Sequence, residues 1–233
     1  MNARYRWFSV APLARGQLAK VAAAMRAKPY SHDSKSGYHL TTVRADWLEG
    51  NFTERLEYEE KLTDPLGGEV SVSRVEFRRT EFRLSTAYPQ LEFRNPARQV
   101  RPITNLIADS LDYQVAVTSI TVSPLLWAKA LAREGEPVRV LGIRSTKFSL
   151  SNDAQASVMI TGTSDVRPAI PTLLGKRSIE ADYVQCGWDL EGREWRVELR
   201  AAGCANVLAS PVDDPGQLLR KALGVLGTGQ KSS

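Results

Sequence analysis

Apolar residues recur along this chain with two periods. A spacing of two, the mark of a half-buried strand, runs through 4–12 (RYRWFSVAP), 38–48 (YHLTTVRADWL), 52–62 (FTERLEYEEKL), 113–122 (YQVAVTSITV) and 138–150 (VRVLGIRSTKFSL). It returns in 156–164 (ASVMITGTS), 178–190 (SIEADYVQCGWDL) and 194–208 (EWRVELRAAGCANVL). A helical spacing fits 13–28, with Leu13, Leu18, Val21 and Met25 on one stripe behind Pro12. It also fits 95–112, where Val100, Ile103, Leu106, Ile107 and Leu111 line up and Pro102 sets a later start. Segments 124–134, 166–176 and 214–226 read as further helices.

Turn chemistry divides the strands. Glu49-Gly50-Asn51 reads as the turn between 38–48 and 52–62, DPLGG at 64–68 as the next, and Glu191-Gly192 as the tip of a late hairpin. Between 70 and 84 the period of two changes phase twice: Val70 and Val72, then Val75 and Phe77, then Phe82 and Leu84. That predicts a bulge or tight turn near Arg78-Arg79-Thr80. It also places most of the arginines there opposite the local apolar set, on a wet face or loop tip.

The order from 113 onward is strand, helix, strand, strand, helix, strand, the βαββαβ order of ferredoxin-like domains. A related order can be drawn over the N-terminal half, without a residue-level repeat. The expectation is an α+β chain rich in antiparallel sheet. It has a strand-rich, charge-polarised half over 1–112, a ferredoxin-like half with a C-terminal hairpin and helix over 113–226, and a disordered tail over 227–233. With 42% hydrophobic and 24% charged residues in 233, the chain carries material for a core.

Charge changes the picture more than composition does. The net charge is +5, yet residues 1–28 hold six basic side chains and no acid, and 46–69 hold eight acids against Arg55 and Lys61. Residues 74–101 hold seven arginines against three glutamates, and Arg outnumbers Lys by 22 to 9. Arginine forks suit phosphate oxygens and stack on bases. Phosphates are therefore expected along Arg74, Arg78, Arg79, Arg83, Arg94, Arg98 and Arg101, with Arg4 and Arg6 adding to them. Tyr5 and Trp7, alternating with Arg4 and Arg6, are candidate base-stacking aromatics.

Catalytic chemistry is thinly represented. The two histidines, His32 and His39, match no metal-ligand spacing, and the chain contains no GxxxxGK[ST], GxGxxG or GxSxG. Glu180, Asp182, Asp189, Glu198 and Arg200 resemble the acid and acid–x–lysine strands of metal-dependent nucleases, but arginine stands where lysine is needed. Cys186 and Cys204 fall at non-facing positions of the predicted hairpin and read as free thiols of a reducing compartment. No apolar run reaches the ~20 residues of a membrane span. The resulting reading is a cytoplasmic, non-enzymatic nucleic-acid-binding subunit of a larger bacterial complex. It needs no metal, no cofactor and no membrane, and it binds RNA or DNA with a protein partner or second copy alongside. The alternatives are a protein–protein adaptor or self-assembling subunit, for example in an antiviral defence system, and a metal-free ferredoxin-like endoribonuclease using His32, Tyr38 and His39.

Overall fold

The computed structural model describes residues 2–63, 65, 67–96, 100–133, 138–151, 154–175, 177, 179–190, 193–210 and 214–229. The elements follow in the order β1 (Ala3–Ala11), α1 (Gln17–Arg26), β2 (Ser36–Val43), β3 (Trp47–Thr63), β4 (Glu69–Ser85), β5 (Leu91–Arg94), α2 (Arg101–Ser110) and β6 (Ala116–Ser119). They continue with α3 (Pro124–Arg133), β7 (Arg139–Ser151), β8 (Ala154–Thr161), α4 (Ile170–Leu174), β9 (Tyr183–Leu190), β10 (Arg193–Arg200), β11 (Cys204–Ala209) and α5 (Pro215–Gly229). The protein is α+β, with extensive antiparallel sheet and five helices among the described residues. It forms two compact units that interleave in sequence. One holds residues 1–10, 87–94 and 117–233, and the other 11–86 and 95–116, where the sequence pattern suggests one boundary after 112.

In the first unit the strands run β5-β1-β11-β10-β9-β7-β8, with β6 also on β1. Alternation sends Tyr5 and Trp7 of β1, Trp195, Val197 and Leu199 of β10, and Val184 and Cys186 of β9 to one face, where all are buried. Helices α3 and α5 cover that face with Trp127, Leu219, Ala222 and Leu223. Tyr5 stacks on Trp7 at 5.5 Å, and Trp7 meets Trp127 edge-on at 5.4 Å. Burying one such indole removes roughly 200 Å² from water, about 5 kcal/mol of transfer free energy. Tyr5 and Trp7 are therefore core residues, closed to bases.

One charge sits at the margin of this core. The buried Glu92 carboxylate accepts a hydrogen bond from Trp7 Nε1 at 2.8 Å and an ion-paired one from Arg220 Nη1 of α5 at 2.6 Å. The same oxygen serves both donors, so strand β1 and helix α5 are tied through one atom of β5.

Strand pairing departs from the sequence pattern in several places. Elements β6 to β9 keep the βαββαβ order along the chain, but β9 pairs with β7 and β10 while β6 pairs with β1, so the ferredoxin-like arrangement is not confirmed. The stretch 194–208 is two strands: Ala201–Gly203 turn the chain, with Gly203 at φ +61°, and β11 folds back on β10. Cys204 then faces Arg200 and Arg6, while Cys186 faces Val197, and both thiols are free. Segment 113–122 supplies only the four residues of β6, and 166–176 only a 3-10 turn and the short α4. Helix α5 continues through 227–229 of the expected tail; 230–233 lie outside the described residues.

In the second unit β2, β3 and β4 form an antiparallel meander. Helix α1 buries Leu18, Val21 and Met25 against the sheet and α2, which buries Ile103, Leu106 and Ile107. Helix α1 begins at Gln17, well after Pro12, and α2 begins at Arg101 with Pro102 in its first turn. Tyr38, Phe52 and Phe82 pack as an aromatic group, with rings 4.8 and 6.3 Å apart about Tyr38. The β2–β3 turn lies at residues 44–46, and Glu49-Gly50-Asn51 runs inside β3. Gly50 is there for close approach: a Cβ would meet the His39 carbonyl oxygen at 2.5 Å.

The expected bulge at Arg78–Thr80 is absent. Strands β3 and β4 pair without a shift from Trp47↔Ser85 to Thr63↔Glu69. The phase change in the sequence arises because only Thr80, Phe82 and Leu84 of β4 face the core, while 69–75 are exposed on both faces and obey no burial parity.

The Glu92 bridge gives a stability test. Arg220→Met leaves a buried carboxylate with one donor and is expected to cost about 3 kcal/mol. The double variant Arg220→Met/Glu92→Gln should recover part of that loss. Urea denaturation of the three proteins measures both.

Candidate nucleic-acid interface

The face of the first unit's sheet opposite α3 and α5 is polar over β9, β10 and β11 and apolar and buried at Phe8, Leu91 and Phe93 beside Arg6, and its register builds a row. Across the strands, Arg6 of β1 faces Cys204 of β11, which faces Arg200 of β10, which faces Tyr183 of β9, which faces Arg144 of β7, which faces Met159 of β8. Neighbouring strands lie about 4.8 Å apart, so arginines on alternate strands stand roughly 10 Å apart. The next row reads Arg4, Asn206, Glu198, Gln185 and Gly142, and Arg196 faces Gly187, which faces Arg139. Arg4, Arg196, Arg200 and Met159 are exposed, and Arg6, Arg144, Tyr183 and Glu198 half-buried.

Tyr183 is the centre of this face. Arg144 and Arg200 place their guanidinium carbons 5.3 and 5.9 Å from its ring centre. Its hydroxyl donates to Glu198 Oε1 at 3.1 Å, and Asn206 Nδ2 donates to Glu198 Oε2 at 2.8 Å. Burial, together with the Glu198 charge, pushes the phenol up to about 12, so it stays a neutral donor. Arg144 Nε donates to Asp182 Oδ1 at 3.0 Å, and the same carboxylate accepts the Thr146 N–H. Burial works to raise the Asp182 pKa, but these two donors outweigh it and hold the group below the usual carboxylate range. Burial raises the Cys204 thiol despite Arg6 and Arg200, which keeps it protonated near neutrality. Arg200 lies 3.7 Å from Glu198 and Arg196 3.1 Å from Glu194, both partly solvated pairs, while Arg6 has no ion pair among the described residues.

The residues expected to hold phosphates are not brought together. Arg4 and Arg6 are on this face. Arg94 pairs with Tyr5 at the end of β5, on the helix-covered side. Arg74, Arg78, Arg79 and Arg83 belong to β4 of the second unit and alternate between its faces. Arg78 is held by Glu76 at 3.1 Å and by the Tyr58 hydroxyl at 3.0 Å. Arg83 is held by Glu49 at 2.5 Å, with its guanidinium 4.1 Å from the Trp47 ring centre. Arg74, Arg79 and Arg101 are exposed, and Arg98 lies outside the described residues. Glu49 of β3 thus neutralises Arg83 across the strands, and Glu76 of β4 itself neutralises Arg78. Sequence reading missed Arg144, Arg196 and Tyr183, and weighed Arg200 only within a nuclease-like pattern. The one available signal was the alternation of arginine with apolar residues in WRVELR.

The histidine cluster does not assemble. Tyr38 is buried, its hydroxyl donates to the Pro102 carbonyl at 3.0 Å, and burial raises its pKa above the ordinary tyrosine value. His39, its neighbour in β2, points to the opposite face and is exposed, as is His32. Among the described residues no group of three or more His, Cys, Asp or Glu side chains gathers as a metal site. Among them, too, no helix is long and apolar enough to cross a membrane.

The Asp182 carboxylate offers a pH test. Its pKa is depressed in the folded state, so its contribution is complete above the unfolded value near 4 and is lost as pH falls through the folded one. Asp182→Asn should therefore lower the melting temperature at pH 7, and the gap to wild type should close below about pH 4. Thermal scans across that range check it. No protein-family model matches the chain, and no curated protein is significantly similar to it.

Proposed function

We propose that this protein binds single-stranded nucleic acid on the open sheet face of its first unit. The observation that carries the reading is the Arg6–Cys204–Arg200–Tyr183–Arg144 row, which sets three guanidinium groups on alternate strands, two of them flanking the Tyr183 ring and Arg6 lying over Phe8. Phosphates take the arginine forks, and unstacked bases lie on the guanidinium planes and the tyrosine. A flat sheet face offers nothing shaped to enter a duplex groove, so single strands are the favoured form. Arg4 and Arg196 stand in the following rows, both on one side of it. The exposed Arg74, Arg79 and Arg101 add general attraction, while Arg78 and Arg83 spend their donors on acids of their own unit. Binding without chemistry, within a larger assembly, is the role proposed for the chain.

Fluorescence anisotropy with labelled oligo-dT, oligo-U and a duplex, at several salt concentrations, tests this. Wild type should prefer single strands, with log K falling by about 0.7 per phosphate contact for each unit of log[salt]. Arg144→Gln and Arg200→Gln should each flatten that slope by about one contact, and the triple variant Arg6→Glu/Arg144→Glu/Arg200→Glu should abolish binding. Charge reversal at Arg78 and Arg83 should leave it nearly unchanged. Loss of binding in that last protein, with the triple variant intact, would move the grip to β4.

A further inference from the structure

Beyond Glu54 and Arg78, β3 and β4 leave β2 behind and run on together for nine residue pairs, from Arg55↔Phe77 to Thr63↔Glu69. A two-stranded ribbon of this kind has no core of its own and is marginal in water. It should be polar, but one of its faces is not. Leu62, Val70 and Val72 are 48, 51 and 42% exposed on the face that carries Phe52 and Phe82 further in, with Tyr58 beside them. Phe77, 62% exposed, and Val75 stand on the other face. One face of the ribbon is thus an apolar stripe in line with the core and with nothing described against it, while the other carries Val75 and Phe77 among charged and small polar residues. Exposed apolar ribbons with open edges mark association sites.

We propose that this ribbon is an arm by which two copies of the chain pair reciprocally, each arm clasped by the other copy. Area selects this occupant. Nine pairs make a ribbon about 30 Å long and 10 Å wide, roughly 300 Å² per face. One face of one arm, with the matching surface on its partner, buries only about 600 Å², which is the range of chance contacts. Two exchanged arms, each engaged on its apolar face, bury about 1,200 Å² in all, the lower end of stable interfaces. Only a twofold exchange doubles the arm in this way. Charge agrees: residues 55–77 carry six acids against three basic side chains, −3 in a chain of +5, so each copy offers its partner's acidic arm a remainder of +8.

Light scattering on the full chain, free of nucleic acid, over about 1 to 100 µM tests the proposal. Mass should rise toward twice 25.8 kDa. Leu62→Glu/Val70→Glu replaces exposed side chains and should leave the circular dichroism and oligonucleotide affinity unchanged while raising the dimer dissociation constant at least about tenfold. A wild type that stays at one chain mass throughout overturns the proposal. So does a dimer indifferent to the double change, or growth past two copies, which means head-to-tail contact. None of these outcomes depends on the arginine row, whose failure shows in the anisotropy titration alone.

Discussion

A strand presents its side chains to two sides in turn, and the first unit's sheet has helices on only one of them. That constraint governs what the unit is. Helices α3 and α5 cover the face holding Trp7, Trp195 and Cys186, so the offset residues of β9, β10 and β11 must suit water, while on β1 and β5 the offset Phe8, Leu91 and Phe93 are buried. Arg196 follows Trp195, and Arg200 follows Leu199, each for this reason. The core and the candidate interface are the two phases of one pattern, and a one-residue slip of β10 would exchange them.

The sequence makes the alternation legible and leaves the pairing obscure. Residues 4–12 read as a strand and form one, and the stripe of Leu18, Val21 and Met25 is a buried helix face, because these patterns are local. Gly50 misleads, since a glycine that admits a neighbouring backbone looks the same in sequence as a glycine that turns. Ala201–Gly203 misleads in the opposite sense, because two alanines and a glycine continue an apolar run without a polar turn signal. The ferredoxin-like order is correct as a string of elements from β6 to β9, but order along the chain does not fix which strands pair. In a sheet this large, β9 has β7 and β10 to choose between before any return to β6.

The ribbon of β3 and β4 shows why a phase change need not mean a bulge. Parity is enforced by burial, and where both faces are wet an apolar residue costs the fold little on either. Val75 and Phe77 stand out of phase with Phe82 because nothing within the chain requires them to be in phase. A selective reason for six large apolar side chains there must then come from outside the chain's own core, and that is the ground on which a second copy enters.

Arginine density along the sequence is a poor guide to arginine availability in space. The run from Arg74 to Arg83 is dense, yet its strand lies beside the most acidic strand of the chain, and Glu49, Glu76 and Tyr58 take up two of its members. A guanidinium already bidding for a carboxylate must be released before it holds a phosphate, and that exchange offsets much of the gain. In the first unit the arginines are sparse in sequence, at 6, 144 and 200, and no window of composition would link them. The sheet links them, because antiparallel register sets one residue from each strand side by side. There too Arg144 and Arg200 must be released from Asp182 and Glu198, at 3.0 and 3.7 Å, before they hold a phosphate, and of the three only Arg6 has no ion pair among the described residues.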